Sequence, residues 1–313
     1  MNLLDQIKDA GIIGAGGAGF PTHAKLTSEA EYILMNGAEC EPLLRTDRYL
    51  MIHEAEKLVS GVDLICRELS IPEGRIALKK TYTKEIEALT AAIEKLHSKV
   101  QLHLMDSFYP AGDEQVVVYE VTGKVVPPAG IPLDVGAIVD NVATIIAVAD
   151  AVSGIPFTEK YLTVTGEVRE PSVLKVPVGT SFAQCIEMAG GTTSDKVMVV
   201  SGGPMMGFGI FDLDVPTTKT ASALLCLTKD DVSAAKTGPC INCGMCVEVC
   251  PGRVVPSRLA KAAEHGDKES FVKMNGMECC ECGCCSFICP AKRPLTQEIK
   301  SMRKMILADR KKK

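Results

Sequence analysis

Two runs of one cysteine pattern constrain this chain more than any other feature: Cys240, Cys243, Cys246 and Cys250 before Pro251, then Cys279, Cys282, Cys285 and Cys289 before Pro290. Each reads C-x-x-C-x-x-C-x-x-x-C-P. The first three thiolates of such a run share a short loop and converge on one cube of iron and sulfide, whereas the fourth lies too far round and reaches the other cube. The spacing therefore predicts two [4Fe-4S] clusters with crossed ligands. One takes Cys240, Cys243, Cys246 and Cys289, and the other takes Cys279, Cys282, Cys285 and Cys250. Zinc sites favour paired C-x-x-C ligands with histidine often among them, and His265 is the only histidine nearby. Disulfides suit a small secreted domain, and no apolar leader with a small-residue cleavage site opens the sequence. Cys280 and Cys284, inside the second run, read as neighbours that shape packing or sulfur hydrogen bonding and not as ligands.

With 313 residues, 46% of them hydrophobic, the chain has room for two or three domains with substantial cores. A net charge of -5 gives no electrostatic reason to expect nucleic acid as a partner. No uninterrupted apolar run is long enough for a membrane span. The 14 cysteines point to a reducing compartment, so a cytoplasmic location is expected. The basic end of the chain, Arg303 to Lys313, reads as a solvated helix terminus, with docking to an acidic or membrane-associated complex as the alternative.

Near the start, Leu3 to Asp9 has a helical pattern, and Gly14, Gly16, Gly17 and Gly19 follow within GIIGAGGAGFPTHAKL. The run satisfies G-x-G-x-x-G, but only Ile12 and Ile13 precede it and Pro21 follows, so an ordinary dinucleotide-binding strand-turn-helix unit is rejected. The remaining reading is a loop that can cradle a phosphate, capping a helix that begins near Pro21. Tyr32 to Met35 reads as a buried strand ending in NGAECEP, which sets Asn36, Glu39 and Glu41 just past its carboxyl end. Helix (46–69), strand (75–79), helix (84–97) and strand (100–105) follow, an alternation that implies a parallel sheet. The third strand ends in SFYPAGDEQ, with Tyr109, Gly112, Asp113 and Glu114 opening a helix through Val121, and Asn141 and Thr144 begin a further helix that ends near Gly154. In open sheets of this kind ligands gather beyond the carboxyl ends of the strands.

GAGGAGFPTHAK, NGAECEP, YPAGDEQ and DNVATI occur in this order in a flavoprotein family, and across essentially its whole length the chain resembles that family. It includes the NADH-oxidising flavoprotein subunit of respiratory complex I, the C subunit of the Rnf complex and the cobalamin reductase of propanediol utilisation; the resemblance is closer to the latter two. There the four loops enclose FMN, and NADH stacks on the flavin to deliver hydride. The resemblance implies FMN contacts from Gly14, Gly16, Gly17, Lys25, Asn36, Glu39, Tyr109, Gly112, Asn141 and Thr144, and a nicotinamide side lined by Phe20, Glu41, Asp113 and Glu114. Three positions depart from complex I, which has arginine at Ala15 and aspartate and glycine at Ala38 and Cys40.

From Tyr161 the order changes to strand, strand, helix, strand, the order of a β-grasp unit, and it resembles the SLBB domain of that family. Its Gly202, Gly203, Pro204, Met205 and Met206 read as a turn whose methionines fill an interdomain gap. The expected architecture is thus an α/β flavin domain with a parallel sheet (1–156), a β-grasp domain (157–218) and a helical two-cluster ferredoxin-like domain (219–313). The expected function is electron transfer from NADH through FMN and two [4Fe-4S] clusters to a partner redox protein or complex, with no side chain serving as catalytic acid or base. Two alternatives are an NADH-independent relay between a ferredoxin-type carrier and a partner reductase, which Ala15 and Ala38 motivate, and a corrinoid reductase.

Overall fold

The computed structural model describes residues 2–229 and 235–311, which form two compact units, Met1–Thr228 and Lys229–Lys313. In the first unit, α1 (Leu3–Asp9) precedes the glycine loop and α2 (Thr22–Lys25) follows it. The helix expected at Pro21 is this single turn, with Pro21 as its N-cap. Four strands, β1 (Tyr32–Asn36), β2 (Glu73–Lys79), β3 (Gln101–Met105) and β4 (Ala137–Asn141), form a wholly parallel sheet in the order β3-β2-β1-β4. Between and after them run α3 (Thr46–His53), α4 (Ala55–Leu69), α5 (Thr83–Leu96), α6 (Glu114–Thr122) and α7 (Val142–Val152).

The sheet is covered on both faces, which is why its central strands are continuous apolar runs. Ile33, Met35, Ile76, Leu78 and Ile138 face a core shared with α1, α3, α4, α5 and α7. The alternate residues Leu34, Ala77 and Val139 face Val117, Val118 and Val121 of α6. The stretch 46–69, read as one helix, breaks at Glu54 between α3 and α4. The start of α3 is tied to the next sheet: Thr46 Oγ1 lies 2.8 Å from Thr163 Oγ1, and the Arg45 N–H donates to that same hydroxyl at 2.9 Å.

That second sheet contains β5 (Glu159–Gly166), β6 (Ser172–Pro177), β7 (Met198–Ser201), β8 (Phe208–Ile210) and β9 (Ala223–Leu227), in the order β6-β5-β9-β7-β8. Helix α8 (Phe182–Met188) starts at a capping box between Ser181 and Gln184 and packs Phe182, Cys185 and Ile186 on Leu162, Val164, Val199 and Leu224. The strand β9 lies past the expected domain boundary at 218 yet is central in this sheet, parallel to β5 and antiparallel to β7. Closing the β-grasp core requires a strand between β5 and β7, so the sheet extends to Leu227.

The second unit is helical: α9 (Met245–Glu248), α10 (Pro256–Glu264), α11 (Lys268–Lys273), α12 (Cys284–Ile288) and α13 (Leu295–Lys311). Its core packs Leu259 and Ala260 against Phe271, Leu295, Ile299 and Met302, with Cys246 and Cys285 at its edge. Among the described residues no helix is long and apolar enough to cross a membrane.

Candidate functional site

In the first sheet β2 and β3 extend to one side of β1 and β4 lies on the other, so the direction of winding reverses between β1 and β4. A crevice for ligands opens at the carboxyl ends beside such a reversal. Asn36 and Asn141 end these two strands and are register partners. The Asn36 amide donates to the Gly112 carbonyl at 2.8 Å while its oxygen accepts from the Ala38 N–H at 3.1 Å, which joins two of the polar loops. Asn141 caps α7 by accepting from the Ala143 N–H at 2.9 Å and donates to Asp47 Oδ2 at 2.8 Å. A primary amide has two N–H bonds, so each asparagine can orient its own loop and still address a ligand.

The glycine loop closes over this edge. The Gly14 N–H donates to the Phe20 carbonyl at 2.8 Å, and the Ala15 N–H donates to Thr144 Oγ1 at 2.9 Å. From β5, the buried Lys160 ammonium donates to the Ala15 carbonyl at 2.9 Å. Gly16 lies against Asn141, where an added Cβ would meet the asparagine Cβ at 3.2 Å. At Gly17 the backbone has φ +123°, a conformation that L side chains rarely adopt. Phe20 is exposed at the end of the loop.

Ionisable groups crowd beneath these loops. Burial, with Asp47 and Glu41 adding repulsion, pushes the Glu39 carboxyl up to about 8, so at neutral pH it is protonated and can donate a hydrogen bond. Burial raises Asp47 to about 6 against the attraction of Lys160, and lowers Lys160 to about 8 against Asp47 and Glu39. Asp140 is likewise raised by burial to about 6, opposed by Lys25. The Lys25 ammonium lies 3.7 Å from Asp140 and 3.9 Å from Glu114 and donates to the Val139 carbonyl, so it is held among protein oxygens at the mouth of the edge. Asp113 caps α6 by accepting from the Gln115 and Val116 N–H groups at 3.0 and 3.2 Å. Glu41 accepts from the Met205 N–H at 3.1 Å and from Tyr109, so the 202–206 turn of the β-grasp domain lies on a residue expected at the nicotinamide side. Asp47, Lys160 and Asp140 carry no signal of a site in the sequence. An acid in a helix's first turn and a charge within a strand are ordinary surface features until the fold buries them.

In the second unit the two cysteine runs have one backbone shape. Asn242 and Glu281, Gly244 and Gly283, and Arg253 and Lys292 occupy equivalent places in the runs, and all six have positive φ. One hollow is lined by Cys240, Cys243, Cys246 and Cys289, and a second by Cys250, Cys279, Cys282 and Cys285 together with Cys280 and Cys284. The fourth cysteine of each run therefore lies with the first three of the other. Among the described residues no three His, Cys, Asp or Glu groups close on a point as one ion would require; the thiols line walls instead. Polar groups reach the sulfurs: the Glu281 N–H donates to Cys279 Sγ at 3.4 Å, and Thr296 Oγ1 lies 3.3 Å from Cys285 Sγ.

Residues 7–150 match the Nuo51 FMN-binding domain family and residues 161–209 the SLBB domain family. The chain is 38% identical, over 99% of its length and 71% of the relative's, to the C subunit of the Na(+)-translocating ferredoxin:NAD(+) oxidoreductase complex of Acetobacterium woodii. It is 40% identical to the C subunit of the proton-translocating ferredoxin:NAD(+) oxidoreductase complex of Clostridium ljungdahlii, over 82% of this chain and 57% of that one. Cobalamin reductase PduS of Salmonella typhimurium is also 40% identical, over 82% of this chain and 59% of the reductase. The chain thus spans between 57% and 71% of the length of these relatives. Its fold is that of a chain of the NAD+-reducing [NiFe]-hydrogenase, with a TM-score of 0.70 at 20% identity over 98% of this chain and 61% of that one. By sequence, the chain belongs to the family of Rnf complex C subunits.

Proposed function

We propose that this chain is an electron-transfer oxidoreductase component that binds FMN at the carboxyl edge of the parallel sheet and two [4Fe-4S] clusters in the cysteine unit, and passes electrons from NADH to a partner redox complex. The observation that carries the reading is the crossed sorting of eight cysteines into two hollows of the second unit, and the first unit has by itself a winding reversal bordered by a glycine loop and two asparagines. FMN supplies the exchange between a two-electron hydride and single electrons, and each cluster passes one electron at a time.

The residues present fit these groups. Gly14, Gly16 and Gly17 offer a loop whose backbone a phosphate can approach, Asn36 and Asn141 offer amides at both strand ends, and the protonated Glu39 offers a donor. Among the described residues, buried Asp140 Oδ2 and Glu41 Oε1 have no hydrogen-bond partner, as expected of atoms facing a polar ligand. Four thiols per hollow match the donor set of a cubane. The protein's part is to orient the flavin, exclude water beneath the glycine loop and hold the sulfurs.

A second reading, a relay that exchanges electrons with a ferredoxin-type carrier and ignores NADH, is favoured by the seat of Met205 on Glu41. Rapid mixing of the anaerobically reconstituted protein with NADH separates the two. Bleaching of bound flavin is expected for NADH oxidation; its absence, with bleaching by reduced ferredoxin, establishes the relay.

A further inference from the structure

A cube of iron and sulfide takes four thiolates. The hollow of Cys240 holds four, whereas the hollow of Cys282 holds six, because Cys280 and Cys284 share its lining. Gly283 adopts φ +87° between Cys282 and Cys284, and the turn it makes brings their side chains into a hydrogen bond with each other. The equivalent place in the first run is Met245, which has no thiolate to offer. We propose that Cys284 is a reserve ligand of the second cluster, taking the iron of Cys282 when Cys282 is lost, and that the first cluster has no such reserve. This rests on the two-cluster reading given above.

The exchange balances without an electron. The bond from iron to the Cys282 sulfur breaks, the bond from iron to the Cys284 sulfur forms, and the proton of the Cys284 thiol passes to the departing Cys282 sulfur along the hydrogen bond that already joins them; in Cys282→Ala, which has no sulfur there to receive it, the proton passes to water. Both residues line the same hollow, so the replacement stays within it.

The test counts iron and sulfide per chain in the anaerobically purified 313-residue chain and records the electron paramagnetic resonance spectrum after dithionite reduction. Alanine is used because a serine oxygen could itself bind iron. The unaltered chain is expected to hold about eight irons, Cys243→Ala about half as many, Cys282→Ala close to the full number with an altered second-cluster signal, and Cys282→Ala/Cys284→Ala about half. Cys284→Ala alone should keep all its iron, which supports the proposal even if the double variant fails to fold. Loss of about four irons from Cys282→Ala alone, or from Cys284→Ala alone, overturns the proposal. Fewer than about eight irons in the unaltered chain overturns the two-cluster reading and the proposal with it.

Discussion

Lys160, on the first strand of the β-grasp sheet, donates its ammonium to the carbonyl of Ala15 in the glycine loop at 2.9 Å. A residue of one domain thus fixes the backbone on which the other domain's proposed phosphate cradle depends. Asp47 is its electrostatic partner, so removing the ammonium also leaves a half-buried carboxylate without its cation. Lys160→Met is expected to lower unfolding stability by about 3 kcal/mol, read from urea denaturation, and to weaken FMN retention. Lys160→Arg should restore part of both. Unchanged FMN affinity in Lys160→Met would show that the loop holds its shape without the β-grasp domain.

Asn36 joins the loops after β1 and β3 through two bonds of its own side chain, to the Gly112 carbonyl and from the Ala38 N–H. Asn36→Ala leaves both partners without their bond, a loss of about 1–3 kcal/mol. Isothermal titration with FMN should show affinity reduced about tenfold or more, since 1.4 kcal/mol is a factor of ten. Asn36→Asp keeps the acceptor and loses the donor, and it should fall between the two.

Much of this site was legible because it is encoded locally. The cysteine spacing specifies a loop shape by itself, and the structure repeats that shape with positive φ at Asn242 and Glu281 alike. Strands β1, β2 and β3 announce themselves as short apolar runs bounded by polar loops. Strand β4 did not, because Ala137–Asn141 runs directly into the apolar helix α7 and the two merge into one hydrophobic stretch. What stayed hidden was tertiary. Lys160 stands just before the strand that the sequence opens at Tyr161, and only the packing of β5 against α3 and the glycine loop buries it. Strand β9 pairs with β5, more than fifty residues earlier in the chain, a partnership that no local pattern contains.

Stability should depend on pH in a way set by the groups under the loops. Glu39 is raised from 4.5 to about 8 and Asp47 from 3.8 to about 6, so their stabilising contributions are full below those ordinary values and are lost as pH rises through the raised ones. Lys160 is lowered from 10.5 to about 8, so between those values the unfolded chain binds more protons and stability rises with pH. Above pH 8 that rise is opposed by the thiols of Cys40, Cys66 and Cys185, which burial pushes up to about 11. Urea midpoints are therefore compared at pH 5 and 8, where the midpoint is expected to fall as pH rises, and Glu39→Gln, which does not ionise, should flatten that limb.

Gly112 leaves no room for a side chain, for a Cβ there would lie 2.6 Å from the Ala38 carbonyl oxygen and 3.2 Å from Cys40 Sγ. The obstacle is backbone and cannot swing aside. Gly112→Ala must push the 109–113 loop away from the loop after β1, and the same displacement stretches the bond from Asn36 to the Gly112 carbonyl. Overpacking of this kind costs about 1–3 kcal/mol, and here it falls on the two loops proposed to meet the flavin. Gly123→Ala is the matched control: it ends α6 at φ +71° with nothing within 4 Å of the new Cβ, so its cost of about 1 kcal/mol is backbone strain alone. Both variants should lower the urea midpoint, but only Gly112→Ala should release FMN on gel filtration. Equal flavin loss from the two would mean that retention follows global stability and not the meeting of these loops.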